Sequence, residues 1–175
     1  VKNNYEIRGD VTAIFVNPNC GISEVLISTA DIGKADKFPG TWRIQKTQAE
    51  TFYCLGSVTK SNKASTYRLH RWITNAPIGK VVDHINHNTL DNRRENLRVV
   101  THSENSQNRK GADTDSRCGI RGVSWHKHNN KWQAALTVNK KRISLGYFSD
   151  LEVAKAKVEK ARSELMPYSK EAANN

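Results

Sequence analysis

The stretch that decides the fold runs from Val81 to Asn105 and reads VVDHINHNTLDNRRENLRVVTHSEN. It opens on a strand-like run, Val81-Val82, that delivers Asp83 and His84. From Ile85 to Glu95 there is no apolar periodicity, which predicts a structured loop. Leu97 to Val100 can form a second short strand. Thr101-His102-Ser103-Glu104 then carries the capping-box pattern, a hydroxyl followed three residues later by a carboxylate, so a helix is expected to start at Thr101 and end by Gly111. In that layout the two strands and the first helical turn converge, and Asp83, His84 and Asn105 can surround one point. Neighbours on a regular strand face opposite ways, so the strand must end or distort at His84 if both residues are to share a site.

A carboxylate and an amide oxygen form a hard-oxygen pair, which suits an octahedral divalent cation completed by water and substrate phosphate. Mg²⁺ is expected, with Mn²⁺ or another divalent cation as a substitute. His84, neutral near pH 7, could then deprotonate a water for attack on phosphorus. Phosphodiester hydrolysis is the reaction such a set would run. Asp83-His84 could instead be no more than a surface turn. His87 reads as a solvated loop residue, and His70 as a packed histidine beside the site. His102 competes with Asn105 for the third position, since the two lie three residues apart on a similar helix face. Arg93, Arg94 and Arg98 could face solvent or touch a DNA backbone.

Three blocks in fixed order, Asp83-His84, then Asp91-Asn92-Arg93-Arg94-Glu95-Asn96-Leu97-Arg98, then Glu104-Asn105, resemble the HNH endonucleases of the ββα-metal class. The likeness is to the phage and intron type, homing nicking enzymes included, and spans roughly residues 70–108. It implies that His84 is the general base, that Asp83 and Asn105 hold the metal, and that Asn96 orders the loop and orients the histidine. Asn105 stands where many relatives have His. The zinc-knuckle version is absent, so no structural zinc is expected.

Outward from this core, short β-branched runs at 11–16, 25–28, 41–45, 52–55 and 65–69, punctuated by Gly, Pro, Asn and Lys, predict a mostly antiparallel sheet region over 5–73. A short helix is expected over 70–75, stopped by Ala76-Pro77. On the other side, Gly111 to Gly119 reads as a linker. Three alternating strands follow at 123–127, 131–138 and 141–148, with turns at Asn129-Asn130 and Asn139-Lys140. Ser149-Asp150-Leu151-Glu152 is a second capping box before a helix with the stripe Leu151, Ala154, Val158, Ala161 and Leu165. Alternation places Val123, Trp125, Trp132, Ala134, Leu136, Ile143 and Leu145 on the core face. Ser124, His126, Lys131, Gln133, Thr137, Arg142 and Ser144 fall on the other. No exposed aromatic residue is expected there, which argues against RNA base stacking. The tail after Pro167 reads as loosely ordered.

Twenty-eight Lys and Arg against 17 Asp and Glu give a net charge of +11, which favours a polyanionic partner. No apolar run approaches the roughly 18 residues of a membrane span. Cys20, Cys54 and Cys118 are scattered and form neither a disulfide framework nor a metal knuckle. An intracellular protein is expected, in the host cytoplasm if phage-encoded. The lone methionine is Met166, so the start at Val1 is expected to be a processed or truncated end. From Arg117 to Phe148 there are seven basic residues and no acidic one. A polar, basic sheet face of this kind can lie in the DNA major groove. The runs Arg121-Gly122-Val123, Lys131-Trp132-Gln133-Ala134-Ala135 and Leu145-Gly146-Tyr147-Phe148 resemble the Apetala-two/ERF type of DNA-binding domain. Arg121 and Arg142 match its basic contact positions, whereas Ser124, His126, Ala135, Thr137 and Ser144 depart from its plant members.

The expected architecture is α+β. A ββα-metal HNH nuclease unit with an N-terminal β-rich region (1–110, core about 80–110) precedes a linker (111–119). A small three-stranded antiparallel sheet with one helix (120–167) and a tail (168–175) complete the chain. The expected function is metal-dependent cleavage of double-stranded DNA by a monomer that nicks, with DNA held by Arg121, Lys131, Gln133, Lys140, Lys141, Arg142, Arg93 and Arg94. The rival is a DNA-binding regulator with a silent nuclease fold.

Overall fold

The computed structural model describes residues 2–16, 24–48, 50–109, 111–112 and 116–173. Cys20, Lys110 and the linker residues 113–115 lie outside them. The chain divides into two compact bodies, Val1–Thr101 and His102–Asn175. No helix among the described residues is long and apolar enough to cross a membrane.

The first body holds three small sheets. Strands β1 (Tyr5–Arg8), β2 (Val11–Phe15) and β3 (Glu24–Ser28) form an antiparallel meander. A short helix, α1 (Ile32–Asp36), follows. Next come β4 (Trp42–Lys46), β5 (Phe52–Lys60) and β6 (Lys63–Arg68), a second antiparallel sheet. The expected single sheet region is therefore two sheets. Helix α2 (Leu69–Thr74) ends at Asn75, whose left-handed backbone (φ 49°) stops it before Pro77. β7 (Val81–His84) and β9 (Leu97–Val100) pair antiparallel, and between them the two-residue β8 (Asp91–Asn92) adds to the first sheet, parallel to β3. Alternation along β2 and β3 sends Ile14, Val25 and Ile27 inward to a core completed by Phe38, Trp42, Cys54, Leu69 and Ile73. Phe38 stacks on Trp42 with ring centroids 4.2 Å apart. Gly56 makes room for it, because a Cβ there would sit 2.2 Å from the Phe38 ring.

The second body begins with α3 (His102–Gln107) and continues with β10 (Val123–His126), β11 (Lys131–Val138) and β12 (Lys141–Phe148), an antiparallel sheet in sequence order. Asn130, Asn139 and Lys140 take the left-handed backbone that the two turns need. Helix α4 (Leu151–Leu165) packs Ala154, Val158 and Ala161 against Val123, Ala134 and Leu136. Its N-cap is Asp150, not Ser149, and the Asp150 carboxylate accepts from the Glu152 and Val153 amides. The tail is packed rather than loose: Ser169 is buried, α5 (Lys170–Ala173) follows, and Glu171 pairs with the buried Arg162.

Strict alternation fails on the sheet at a bulge between Ala134 and Ala135, where the register with β12 slips by one residue. The slip lets Leu145 pack toward the core and leaves Tyr147 paired with Gln133. Trp125, expected in the core, is 39% exposed, and Tyr147 is 40% exposed. The sheet therefore does show aromatic rings to solvent. Beside the bulge, Gly122 has φ +85°, and a Cβ there would lie 2.7 Å from the Ala135 carbonyl oxygen, so only glycine fits without strain.

Candidate active site and nucleic-acid interface

β7 ends at His84, which resolves the alternation objection: the chain turns there, with the His87 amide donating to the His84 carbonyl. Asp83 and His84 are both buried. Asp83 lies opposite Arg98 in the β7–β9 register, and Arg98 Nε and Nη2 donate to Asp83 Oδ2 at 2.8 and 2.7 Å. Arg98 therefore serves the site carboxylate.

His84 Nε2 lies 3.3 Å from Asn92 Oδ1. The ring is hemmed in by His70, edge-on at 5.0 Å, and by Tyr53 at 6.4 Å. Burial pushes the His84 imidazolium toward deprotonation, opposed by the Asn92 contact and the Asp83 and Asp91 charges. His70 is pushed down to about 3, by burial first and then by the His84, Arg68 and Arg71 charges, so it is neutral near pH 7. The backbone that presents these groups is tied by Asn96. Its Oδ1 accepts from the Asn86 amide at 2.9 Å, its Nδ2 donates to the Asp91 carbonyl at 2.7 Å, and its own carbonyl accepts from the Ile85 amide.

Arg93 and Arg94, expected beside DNA, are engaged with carboxylates inside the first body. Arg93 donates to both oxygens of the buried Asp91 at 2.8 Å and also pairs with Glu95. Arg94 forms a two-pronged bond to the buried Asp31, both contacts at 2.7 Å, and its hydrogen bonds hold the Asp31 carboxyl below the usual carboxylate range. Burial works to raise the Asp91 carboxyl, but Arg93 and Asn86 outweigh it and hold it low.

Asn105 is half-buried on α3 in the second body, and His102 is exposed. Lys131, Lys140, Lys141 and Arg142 are exposed around the sheet. Gln133 bridges two neighbours, accepting from Arg142 at 3.4 Å and donating to the Tyr147 hydroxyl at 3.2 Å. Arg121 is turned away from such a row: its guanidinium donates to the Ser106, Gln107 and Arg109 carbonyls and so closes the end of α3. A cleft of about 750 Å³ opens between segment 106–121 and the sheet, with Arg109, Arg117, Lys127 and Arg142 on its walls. No acidic side chain lines it among the described residues.

Residues 67–107 match the family model described as HNH endonuclease. Protein 3.8 of Escherichia phage T7 is 33% identical over 106 residues, which is 59% of this chain and 86% of that protein. By that match residues 67–107 are an HNH endonuclease domain, carried in a chain related to a phage protein. A solved structure described as DNA binding and cleavage by the HNH homing endonuclease I-HmuI is 21% identical, with a TM-score of 0.33, over 59% of this chain. The chain spans 56% of that solved chain.

The HNH match runs from the end of β6 through α3 and so includes the first element of the second body. Resemblance to HNH enzymes implies a divalent cation. Asp83 supplies one hard oxygen donor beside His84, already charge-matched by Arg98. No group of three or more His, Cys, Asp or Glu among the described residues is placed to hold a metal. A cation here would therefore rely on the one carboxylate of Asp83 and on oxygens from elsewhere. Asn92 and Arg98 stood in the quoted block, but sequence reasoning gave neither its contact, Asn92 with His84 or Arg98 with Asp83. The signal for Arg98 was available, since two four-residue strands in antiparallel register place it across from Asp83. For Asn92 there was none, because a parallel pairing with β3 positions it.

Proposed function

We propose that the chain is a DNA endonuclease that hydrolyses phosphodiester bonds and nicks duplex DNA as a monomer. The observation that carries this reading is the buried His84 at the end of β7, with its ring held on Asn92 and the Asp83 carboxylate on the preceding residue. In the reaction His84 removes the proton from a water that attacks phosphorus. Asp83 and Asn105 would hold the divalent cation, Mg²⁺ or a substitute such as Mn²⁺, which supplies charge stabilisation at the leaving oxygen. Asn96 keeps the 85–91 loop in shape, so that His84 meets the substrate in one orientation. Arg98 neutralises Asp83 and brings a guanidinium to where a phosphate would arrive.

Duplex DNA is held by the second body, in the manner of an Apetala-two/ERF sheet. Lys131, Lys140 and Lys141 anchor phosphates, Arg142 reads a base edge, and Gln133 aligns Arg142. Arg121 contributes by fixing α3, whereas Arg93 and Arg94, paired with Asp91 and Asp31, serve the first body rather than the DNA contact. The cleft walled by Arg109, Arg117 and Lys127 takes a further stretch of backbone.

The test is conversion of supercoiled plasmid carrying source-genome DNA, with Mg²⁺ or chelator, by the wild-type chain and by His84→Ala. Metal-dependent nicking lost in the variant is expected. Cleavage retained by His84→Ala removes the histidine from its role. No cleavage by either protein, with tight duplex binding, makes the chain a DNA-binding regulator instead.

A further inference from the structure

We infer that Asn92 is a positioning residue that fixes the tautomer of His84, with the ring proton on Nε2 and the basic lone pair on Nδ1. The inference rests on the nuclease reading of His84 and adds to it the residue that decides which ring nitrogen does the work.

A neutral imidazole has one donor nitrogen and one acceptor nitrogen, and the partner of one dictates the state of the other. Here Nε2 faces the carbonyl oxygen of a side-chain amide, Asn92 Oδ1, at 3.3 Å, inside a pair that is 5% and 0% exposed. A carbonyl oxygen only accepts, so Nε2 must carry the hydrogen. The proton-accepting lone pair is then on Nδ1. The ring is flanked by His70, edge-on at 5.0 Å with an interplanar angle of 89°, and by Tyr53 at 6.4 Å, and in this packing it is Nε2 that faces Asn92.

Packing alone does not account for an amide at position 92. Asn92 is fully buried, yet its Nδ2 has no hydrogen-bond partner. A buried unsatisfied donor is destabilising, and an apolar side chain of similar shape would avoid that cost. An amide kept there at a loss to stability is explained by what its other atom does. The main chain that carries it is fixed independently: Asn92 sits opposite Ile27 in the β3–β8 pairing, Leu26 donates to the Leu90 carbonyl, and Asn96 holds the Asp91 carbonyl. The N-terminal sheet thus acts on the site by presenting Asn92 to His84.

The direct experiment is a long-range ¹H–¹⁵N correlation spectrum of the imidazoles in the ¹⁵N-labelled full chain, without metal or DNA, near pH 8, with the His84 signals assigned by their loss in His84→Ala. In the wild type the protonated nitrogen should couple to both ring carbon-bound protons, as Nε2 does. In Asn92→Leu the two tautomers should mix, and Asn92→Asp, which still accepts from Nε2, should restore the single form. In plasmid cleavage Asn92→Leu should lower kcat by about 10- to 100-fold, with KM for DNA unchanged and recovery in Asn92→Asp. A wild-type His84 protonated on Nδ1, or a tautomer unmoved by Asn92→Leu, overturns the inference. The spectrum needs no activity, so failure of the nuclease reading shows in the His84→Ala plasmid assay and failure of the Asn92 inference shows in the spectrum.

Discussion

The two bodies use their cations in opposite ways. In the first, three arginines face carboxylates that are out of water: Arg94 on Asp31, Arg98 on Asp83 and Arg93 on Asp91. In the second, Lys131, Lys140, Lys141 and Arg142 stand exposed around a sheet, and Arg121 and Arg162 are tied inward, to backbone carbonyls and Glu171. The net charge of +11 thus conceals two functions. Arginines in the first body hold a polar site in register, and charge neutralised on buried carboxylates adds little to the far field. Cations in the second body set the potential that a polyanion meets.

The largest effect that sharpens this contrast is catalytic. His84→Ala should cut single-turnover plasmid nicking by about 10²- to 10⁴-fold and leave duplex affinity unchanged, because the cations proposed to hold DNA are on the other body. The next is acid sensitivity. His70 is held near 3 in the folded chain against about 6.5 when unfolded, so between those values the unfolded state binds more protons. Its neutral form therefore contributes full stability above about pH 6.5, and that contribution falls as pH drops toward 3. Asp31 and Asp91, held low, add a loss in the same direction as they protonate. Urea melts from pH 7 to pH 4 should show the first body weakening more than the second, with His70→Phe flattening the difference; equal loss in both bodies would erase the contrast.

Arg94→Ala should destabilise the first body, by less than breaking a fully buried pair, because the Arg94 side chain is largely exposed and Lys34 stays 3.3 Å from Asp31. Hydrogen exchange should report that opening in residues 5–28 and 91–100 and not in the second body. Gly122→Ala is the counterpart in the second body. Its positive φ and its approach to the Ala135 carbonyl predict a loss of roughly 1–3 kcal/mol, read by exchange in β10 and β11. The smallest effect is electrostatic. Lys140→Gln with Lys141→Gln should reduce the slope of log affinity against log salt by about 2, equally for all duplex sequences, whereas Arg93→Gln should leave the slope unchanged.

Much of the site was legible because the HNH signature is local. Asp83, His84, Asn96 and the start of α3 fall within about 25 residues, and the loop between the strands is too polar to be anything but ordered by its own side chains. The three-strand meander and its helix were legible for the same reason, since alternation, Asn turns and a capping carboxylate act between near neighbours. Illegible were the partners that come from far away. Arg94 finds Asp31 across 63 residues, Tyr147 comes to pair with Gln133 past a bulge, and Arg121 turns from the sheet to the end of α3.

The sequence by itself determined which chemical groups are present, their order, and the short-range elements that carry them, because periodicity, caps and turn residues act over a few positions. Tertiary structure alone decided that Arg94 is tied to the buried Asp31. It also decided which amide the His84 ring rests on. Both depend on the pairing of β3 with a two-residue strand 65 positions later, and no local rule encodes a contact whose partners meet only after the chain has folded.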